Sequence, residues 1–145
     1  MSILSRNNNQ RRDRSTQSAL EKSVNNVEYI LSSINVNPTE ARVAVDAGYG
    51  WSFQRGSALI EVYVSQEDQG YLQVLSPIMH LPYNNLLALY RKLLELNLRL
   101  TNAAVGVFED VIYVYNERPL EGLDHIEAES IIRKIAIYAE ELDQT

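Results

Sequence analysis

The residues best equipped for chemistry are two histidines, a group of carboxylates and a few glycine-flanked positions. A histidine serves as a metal ligand or proton shuttle when a second ligand or a charged partner sits beside it. His80 ends an apolar segment just before Pro82. His125 opens a helical segment, where the helix dipole disfavours its cation. Neither has another histidine at ligand spacing, so both are read as structural or solvated. The absence of cysteine removes thiolate zinc sites, thiol nucleophiles and disulfides. Glu127 and Glu129 lie early in the last helix, where acidic residues favour the dipole without any further role. Glu140, Glu141 and Asp143 read as a solvated acidic end, since acid–base work needs one carboxylate in a dry pocket. Gly48-Tyr49-Gly50 lacks the later glycine and helix of a dinucleotide loop, and Ser57 in Gly56-Ser57-Ala58 is a turn serine. The expectation is no catalytic residue, no metal site, no cofactor and no enzyme.

Aromatic residues offer a different use. Tyr49, Trp51, Phe53, Tyr63 and Tyr71 could stack bases on a sheet face, but that needs a basic surface and only Arg55 is near. Core and interface packing is the preferred reading, with no specific nucleic acid. An alternative is a pocket near Trp51, Phe53 and Tyr63 in a small-molecule-sensing domain or an enzyme.

These residues need a scaffold, and hydrophobic periodicity supplies one. A first helix starts near Ser18, where Ser18-Ala19-Leu20-Glu21 forms a capping box, and carries Leu20, Val24, Val27, Leu31 and Ile34 on one stripe. Pro38–Arg42 fits a helical turn and Val43–Val45 a short strand. Trp51–Gln54, Ala58–Ser65 and Tyr71–Met79 read as three strands. Arg55-Gly56-Ser57 turns the first pair and Glu67–Gly70 the second. Pro77 marks an edge or a bulge. A helix capped by Asn84 or Asn85 covers Leu86–Leu100. Its polar residues Arg91, Lys92, Glu95 and Arg99 form one narrow stripe, so its apolar face is wider than a single sheet contact requires. That predicts burial on more than one side. Asn97 lies on the apolar side and needs partners, either in the next strand, through Asn102 or backbone, or across a dimer; the intramolecular role is favoured.

The hairpin of Ala103–Phe108 and Val111–Tyr115 follows, with Val111, Tyr113 and Tyr115 on one face and Ile112 and Val114 on the other. Asp124-His125-Ile126-Glu127 is a second capping box, opening a helix with Ile126, Ser130, Ile131, Ile135, Tyr138 and Leu142 on its apolar stripe. The order α-β-β-β-α-β-β-α with short turns predicts an α+β fold: a twisted antiparallel sheet with flanking helices.

The chain has 145 residues, 46% of them hydrophobic, which fits one domain over residues 16–145. Residues 1–15 carry four arginines (Arg6, Arg11, Arg12 and Arg14) against Asp13, and read as a disordered basic tail. The tail is formally +3, which leaves −9 for the rest of a chain whose total is −6. An acidic body argues against a dedicated nucleic-acid-binding domain. No apolar run approaches the roughly 18 residues of a membrane span, and no signal peptide is visible, so a cytoplasmic protein is expected.

Three stretches together carry a family resemblance: Trp51-Ser52-Phe53 with Arg55-Gly56-Ser57-Ala58, the leucine-rich helix with Leu93-Leu94-Glu95-Leu96-Asn97, and Glu117-Arg118-Pro119-Leu120-Glu121-Gly122-Leu123-Asp124. The chain resembles the bacterial YbjN-domain family over roughly residues 18–143. The resemblance implies the fold of type III secretion chaperones, usually homodimeric, and a label as sensory-transduction regulators. It carries over no functional site. The expected function is a non-enzymatic dimeric protein-binding module, a chaperone-like adaptor or regulator. Its expected partners are a second copy of itself and another protein. The expected dimer or partner surface is Leu86, Leu89, Tyr90, Leu93, Leu96, Asn97 and Leu100.

Overall fold

The computed structural model describes residues 10–65 and 70–143, with side chains described over 20–65 and 70–142. The elements are α1 (Gln10–Ser33), α2 (Pro38–Ala41), β1 (Arg42–Val43), β2 (Tyr49–Arg55), β3 (Ala58–Ser65), β4 (Tyr71–His80), α3 (Leu86–Asn97), β5 (Ala104–Phe108), β6 (Val111–Pro119) and α4 (His125–Asp143). The six strands form one antiparallel sheet in the order β1-β2-β3-β4-β6-β5. The α+β architecture is as expected, with the short α2 and β1 filling the segment after α1.

Alternation along the strands divides the sheet into two unlike faces. Trp51 pairs with Val62, which pairs with Val74, and Phe53 pairs with Ile60. These residues are buried, with Val64, Leu72, Val105 and Val114 on the same side. Leu20, Val24, Val27, Ile30 and Leu31 of α1 close over them beside Ala128, Ile131, Ile132, Ile135 and Ala139 of α4. Leu93, Leu96 and Leu100 pack on this core from α3 and its C-terminal end. All three long helices therefore lie on one side. On the other side Leu59, Glu61, Tyr63, Gln73, Leu75 and Tyr113 are only half-buried, and Tyr115 is exposed.

Local chemistry explains the element ends. Asn37 caps α2 by accepting from the N–H groups of Thr39 and Glu40 at 2.9 and 3.2 Å, with Pro38 where no N–H is needed. The Asp124 carboxylate accepts from the Glu127 N–H at 2.8 Å, which is one half of the expected capping box, and the Glu127 carboxylate turns to Arg118 instead of back to Asp124. Asn85 precedes α3 at φ 61° and makes no side-chain cap. Glu109 and Asp110 both have positive φ, the conformation that matches a two-residue turn to the twist of β5 and β6. Gly48 has φ +95°, and a Cβ there would meet the Val64 carbonyl at 2.1 Å, so only glycine fits. Pro77 sits in a central strand, and the register of β4 on β6 shifts between Pro77 and Met79. Leu75 is the last residue of β4 paired with β3, so Pro77, which has no N–H, lies where the strand is paired on one side only, and both the edge and the bulge readings hold.

Four expectations need correction. α1 begins at Gln10, not near Ser18, so the expected tail overlaps the helix from Gln10 onward. The segment Gln10–Gln17 has no glycine or proline to stop a helix and contains several good helix formers. Residues 1–9, the side chain of Ser18 and the Glu67–Gln69 part of the hairpin loop lie outside the described residues. Ile126 is 68% exposed and Ser130 is exposed, because the buried stripe of α4 runs through Ala128 and Ile132 instead. The first strand after α2 pairs through Arg42 and Val43, one residue earlier than read. Finally, α3 has no buried residue, although its apolar width predicted burial on two sides.

Candidate functional site

The expected surface on α3 divides by direction. Leu93, Leu96 and Leu100 turn toward the core of their own chain, Leu86 and Leu89 are half-buried, and Tyr90 faces outward. The residues left to solvent are Leu87, Leu94 and Leu98, at 85, 68 and 89% exposure, with Tyr90 between them. Steps of three and four place these four on one stripe. Tyr83, just upstream of the helix, is fully exposed. The expected set left out Leu87, Leu94 and Leu98, the outward half of the helix's apolar circumference. The inward positions face β5, and the stripe one helical step away is what remains.

Asn97 fixes the helix to the sheet. Its Oδ1 accepts from the Val105 N–H at 2.7 Å and its Nδ2 donates to the Val105 carbonyl at 3.4 Å. The intramolecular role is as favoured, with Val105 rather than Asn102 as the partner. Asn102 instead accepts at its carbonyl from Asn116 Nδ2 at 2.6 Å. The amide ties α3 to β5, whose outer edge bonds no other strand among the described residues. Val107 and Phe108 on β5 are 44 and 66% exposed, so leucine stripe and bare edge belong to one end of the sheet.

The aromatic cluster does not assemble as one pocket. Trp51 and Phe53 lie under the helices, whereas Tyr63 stands on the opposite face of the sheet. Trp51 is fully buried and donates from Nε1–H to Glu28 Oε2 at 3.2 Å. The same oxygen pairs with Arg42 at 2.9 Å, and the guanidinium lies 5.0 Å from the Tyr49 ring centroid and 5.5 Å from that of Trp51. This cluster staples α1 to β1 and β2. Tyr63 donates to Glu61 Oε1 at 2.5 Å. Burial, and then that bond to a carboxylate, push its phenol well above its ordinary value. A cleft of about 170 Å³ does open beside Phe53, between α1, β2 and α4, with Ile34, Ile132, Ala136 and Ile137 as apolar walls and Arg55, Arg133 and Glu140 among its lining. Trp51 and Tyr63 do not line it.

The polar residues weighed for chemistry stay apart. His125 meets Tyr29 edge-on at 6.3 Å, and His80 is exposed at the end of β4. Among the described residues no three histidines or carboxylates converge on a possible metal position. Among them, too, no helix is long and apolar enough to cross a membrane. The Glu127 carboxylate pairs with Arg118 through two bonds of 2.6 and 3.0 Å, while its N–H donates to the Asp124 cap. The sequence showed both residues but gave no sign that β6 would bring them together.

Solved structures share this arrangement at low sequence identity. A chain of the ExsC–ExsE complex is 13% identical, with a TM-score of 0.64 over 86% of this chain and 93% of that one. A chain of the HopA1–SchA chaperone–effector complex is 14% identical, with a TM-score of 0.61 over 89% and 98%. A chain of the heterodimeric ExoU–SpcU complex from the type III secretion system of Pseudomonas aeruginosa is 11% identical, with a TM-score of 0.58 over 81% and 95%. The chaperone-like fold implied by the sequence resemblance is therefore the one the chain adopts. A search of curated proteins finds no match. The YbjN family, described as "putative bacterial sensory transduction regulator", matches residues 23–145, and the chain belongs to it.

Proposed function

We propose that this protein is a non-enzymatic protein-binding module, a chaperone-like adaptor or regulator that works as a homodimer. The observation that carries the reading is the solvent-facing stripe of Leu87, Tyr90, Leu94 and Leu98 beside the bare edge of β5. A contiguous apolar stripe next to an unpaired strand edge marks an interaction surface. A two-fold axis there covers the same patch on both copies. Fold likeness to chains from chaperone–effector complexes supports a role in holding another polypeptide, without transferring any partner.

Leu94→Asp and Leu98→Asp test the surface by light scattering coupled to size exclusion. Wild type is expected at twice the chain mass and each variant at the chain mass, with melting temperatures of the folded monomer preserved. A wild type that runs as a monomer overturns the dimer, and variants that stay dimeric overturn the α3 surface.

The cleft beside Phe53 favours a second reading, a small-molecule-sensing domain. Its test is a thermal-shift screen with small carboxylates, since a ligand bound to the native state raises the melting temperature. An unmoved Phe53→Ala variant alongside a shifted wild type would assign binding to the cleft.

A further inference from the structure

The helix-free face of the sheet carries a charge pattern of its own. Strand register sets Tyr63, Gln73 and Glu117 side by side in one row across β3, β4 and β6. The next row along holds Glu61, Leu75 and Tyr115. Each carboxylate is held by a neutral neighbour on the same face: Glu61 by the Tyr63 hydroxyl at 2.5 Å and Glu117 by Gln73 Nε2 at 2.7 Å. Among the described residues neither carboxylate has an ion-pair partner. The three arginines of the strands all lie on the helix side, Arg42 over Trp51, Arg55 in the cleft and Arg118 on Glu127, and the described strands contain no lysine. Among the described residues these two carboxylates thus sit without a paired cation beside tyrosine rings, whose faces attract cations.

We propose that this face takes an extended, arginine-containing segment of a partner protein. The inference rests on the protein-binding reading and adds the chemistry of what is bound. Glu61 and Glu117 are two strands apart across the sheet and one same-face step apart along it, a separation of about 12 Å. In an extended segment, side chains four residues apart point the same way at about 13 Å. Arginines at that spacing reach both carboxylates, each planar fork matching a carboxylate and stacking on a phenol ring. Phosphate-bearing nucleic acid and anionic lipid are repelled by the same two charges.

The probe is fluorescein-labelled acetyl-(Arg-Thr-Tyr-Thr)3-amide, titrated into the full-length protein by fluorescence anisotropy and by amide NMR. Binding is expected, with shifts confined to the open-face residues of β3, β4 and β6. The Glu61→Gln/Glu117→Gln double variant should bind at least tenfold more weakly. The Glu40→Gln/Glu141→Gln double variant, which removes the same charge at exposed positions elsewhere, should bind within twofold of wild type. Equal weakening by both pairs, shifts centred on α3 or β5, or no binding at low salt each overturns the proposal. A changed oligomeric state in the Glu61→Gln/Glu117→Gln variant assigns the face to a second copy and also overturns it. The NMR map uses wild type, so it decides the question even if a variant misfolds. Leu94→Asp should leave peptide affinity unchanged. Peptide failure with intact α3-dependent dimers sinks this inference alone, and α3 failure with intact peptide binding sinks only the dimer surface.

Discussion

The guanidinium of Arg118 on β6 forks the carboxylate of Glu127 on α4, with Nε 2.6 Å from Oε2 and Nη2 3.0 Å from Oε1. The same guanidinium donates to the carbonyls of Pro119 and, at 2.7 Å, Glu121. One side chain thus holds the connector between the last strand and the last helix, and sets Leu120 and Leu123 into the core. The Leu120 N–H is bonded to the Gly70 carbonyl at 3.0 Å, so the clamp also reaches the start of β4.

Arg118→Ala should destabilise the fold by about 1–3 kcal/mol, the range for charge-assisted bonds on a part-exposed pair. Arg118→Lys should recover little of it, because a point charge cannot make the fork. Urea unfolding of the three proteins measures this, and full recovery by lysine would show that charge alone matters.

Trp51 is the sole tryptophan and is fully buried, so the native emission should be blue-shifted and should move red on unfolding. Trp51→Ala should cost about 3–5 kcal/mol, as for other large-to-small core changes. Glu28→Ala should cost less, near 1 kcal/mol, since it removes the Nε1–H acceptor and the Arg42 pair at a part-exposed site.

Asn97→Ala leaves the Val105 N–H without its acceptor and should cost about 1–3 kcal/mol. Hydrogen exchange localises the effect: the Val105 amide should lose protection, while the amides of β3 keep theirs. Uniform loss across the sheet would mean the bond is not local to the α3–β5 junction.

Leu93→Ala and Leu94→Ala differ by one position and by direction. The first should destabilise by about 2 kcal/mol, because its side chain packs on the core. The second should fall within about 0.5 kcal/mol of wild type at concentrations where the protein is monomeric.

Tyr63 gives a pH dependence with a defined sign. Its phenol is raised in the folded state, so above the ordinary tyrosine range the native state holds a proton that the unfolded chain has lost. The stabilisation is complete below the unfolded pKa and declines as pH rises through the folded one. Tyr63→Phe should flatten the alkaline part of the stability profile, and ultraviolet titration should show one fewer phenol resisting ionisation.

The parts of the fold that alternation or a helical stripe encodes were legible. Ile60, Val62 and Val64 announced β3, the parity of Tyr113 against Val114 is the observed one, and Leu20 to Leu31 marked the buried side of α1. What stayed hidden depends on contacts distant in sequence. Glu127 read as a capping residue and Arg118 only as part of the stretch before it, Tyr63 read as a neighbour of Trp51, and Asn97 showed a need for partners without naming Val105. On α3 the width of the apolar face was legible, but not which residues face the core and which face outward.

The sheet order has a consequence for how the protein is made. β4 joins β6, skipping β5, so Tyr71, already paired with Ser65 on one side, finds its other partner only at Pro119. Two local units, β2-β3-β4 and β5-β6, close quickly over short turns, and the seam between them must wait for a long loop. During synthesis the first unit leaves the ribosome with the inner edge of β4 bare until the final third of the chain emerges. Pro77 and its bulge lie on that waiting edge. An N–H missing there makes the half-made sheet a poorer template for pairing with its neighbours.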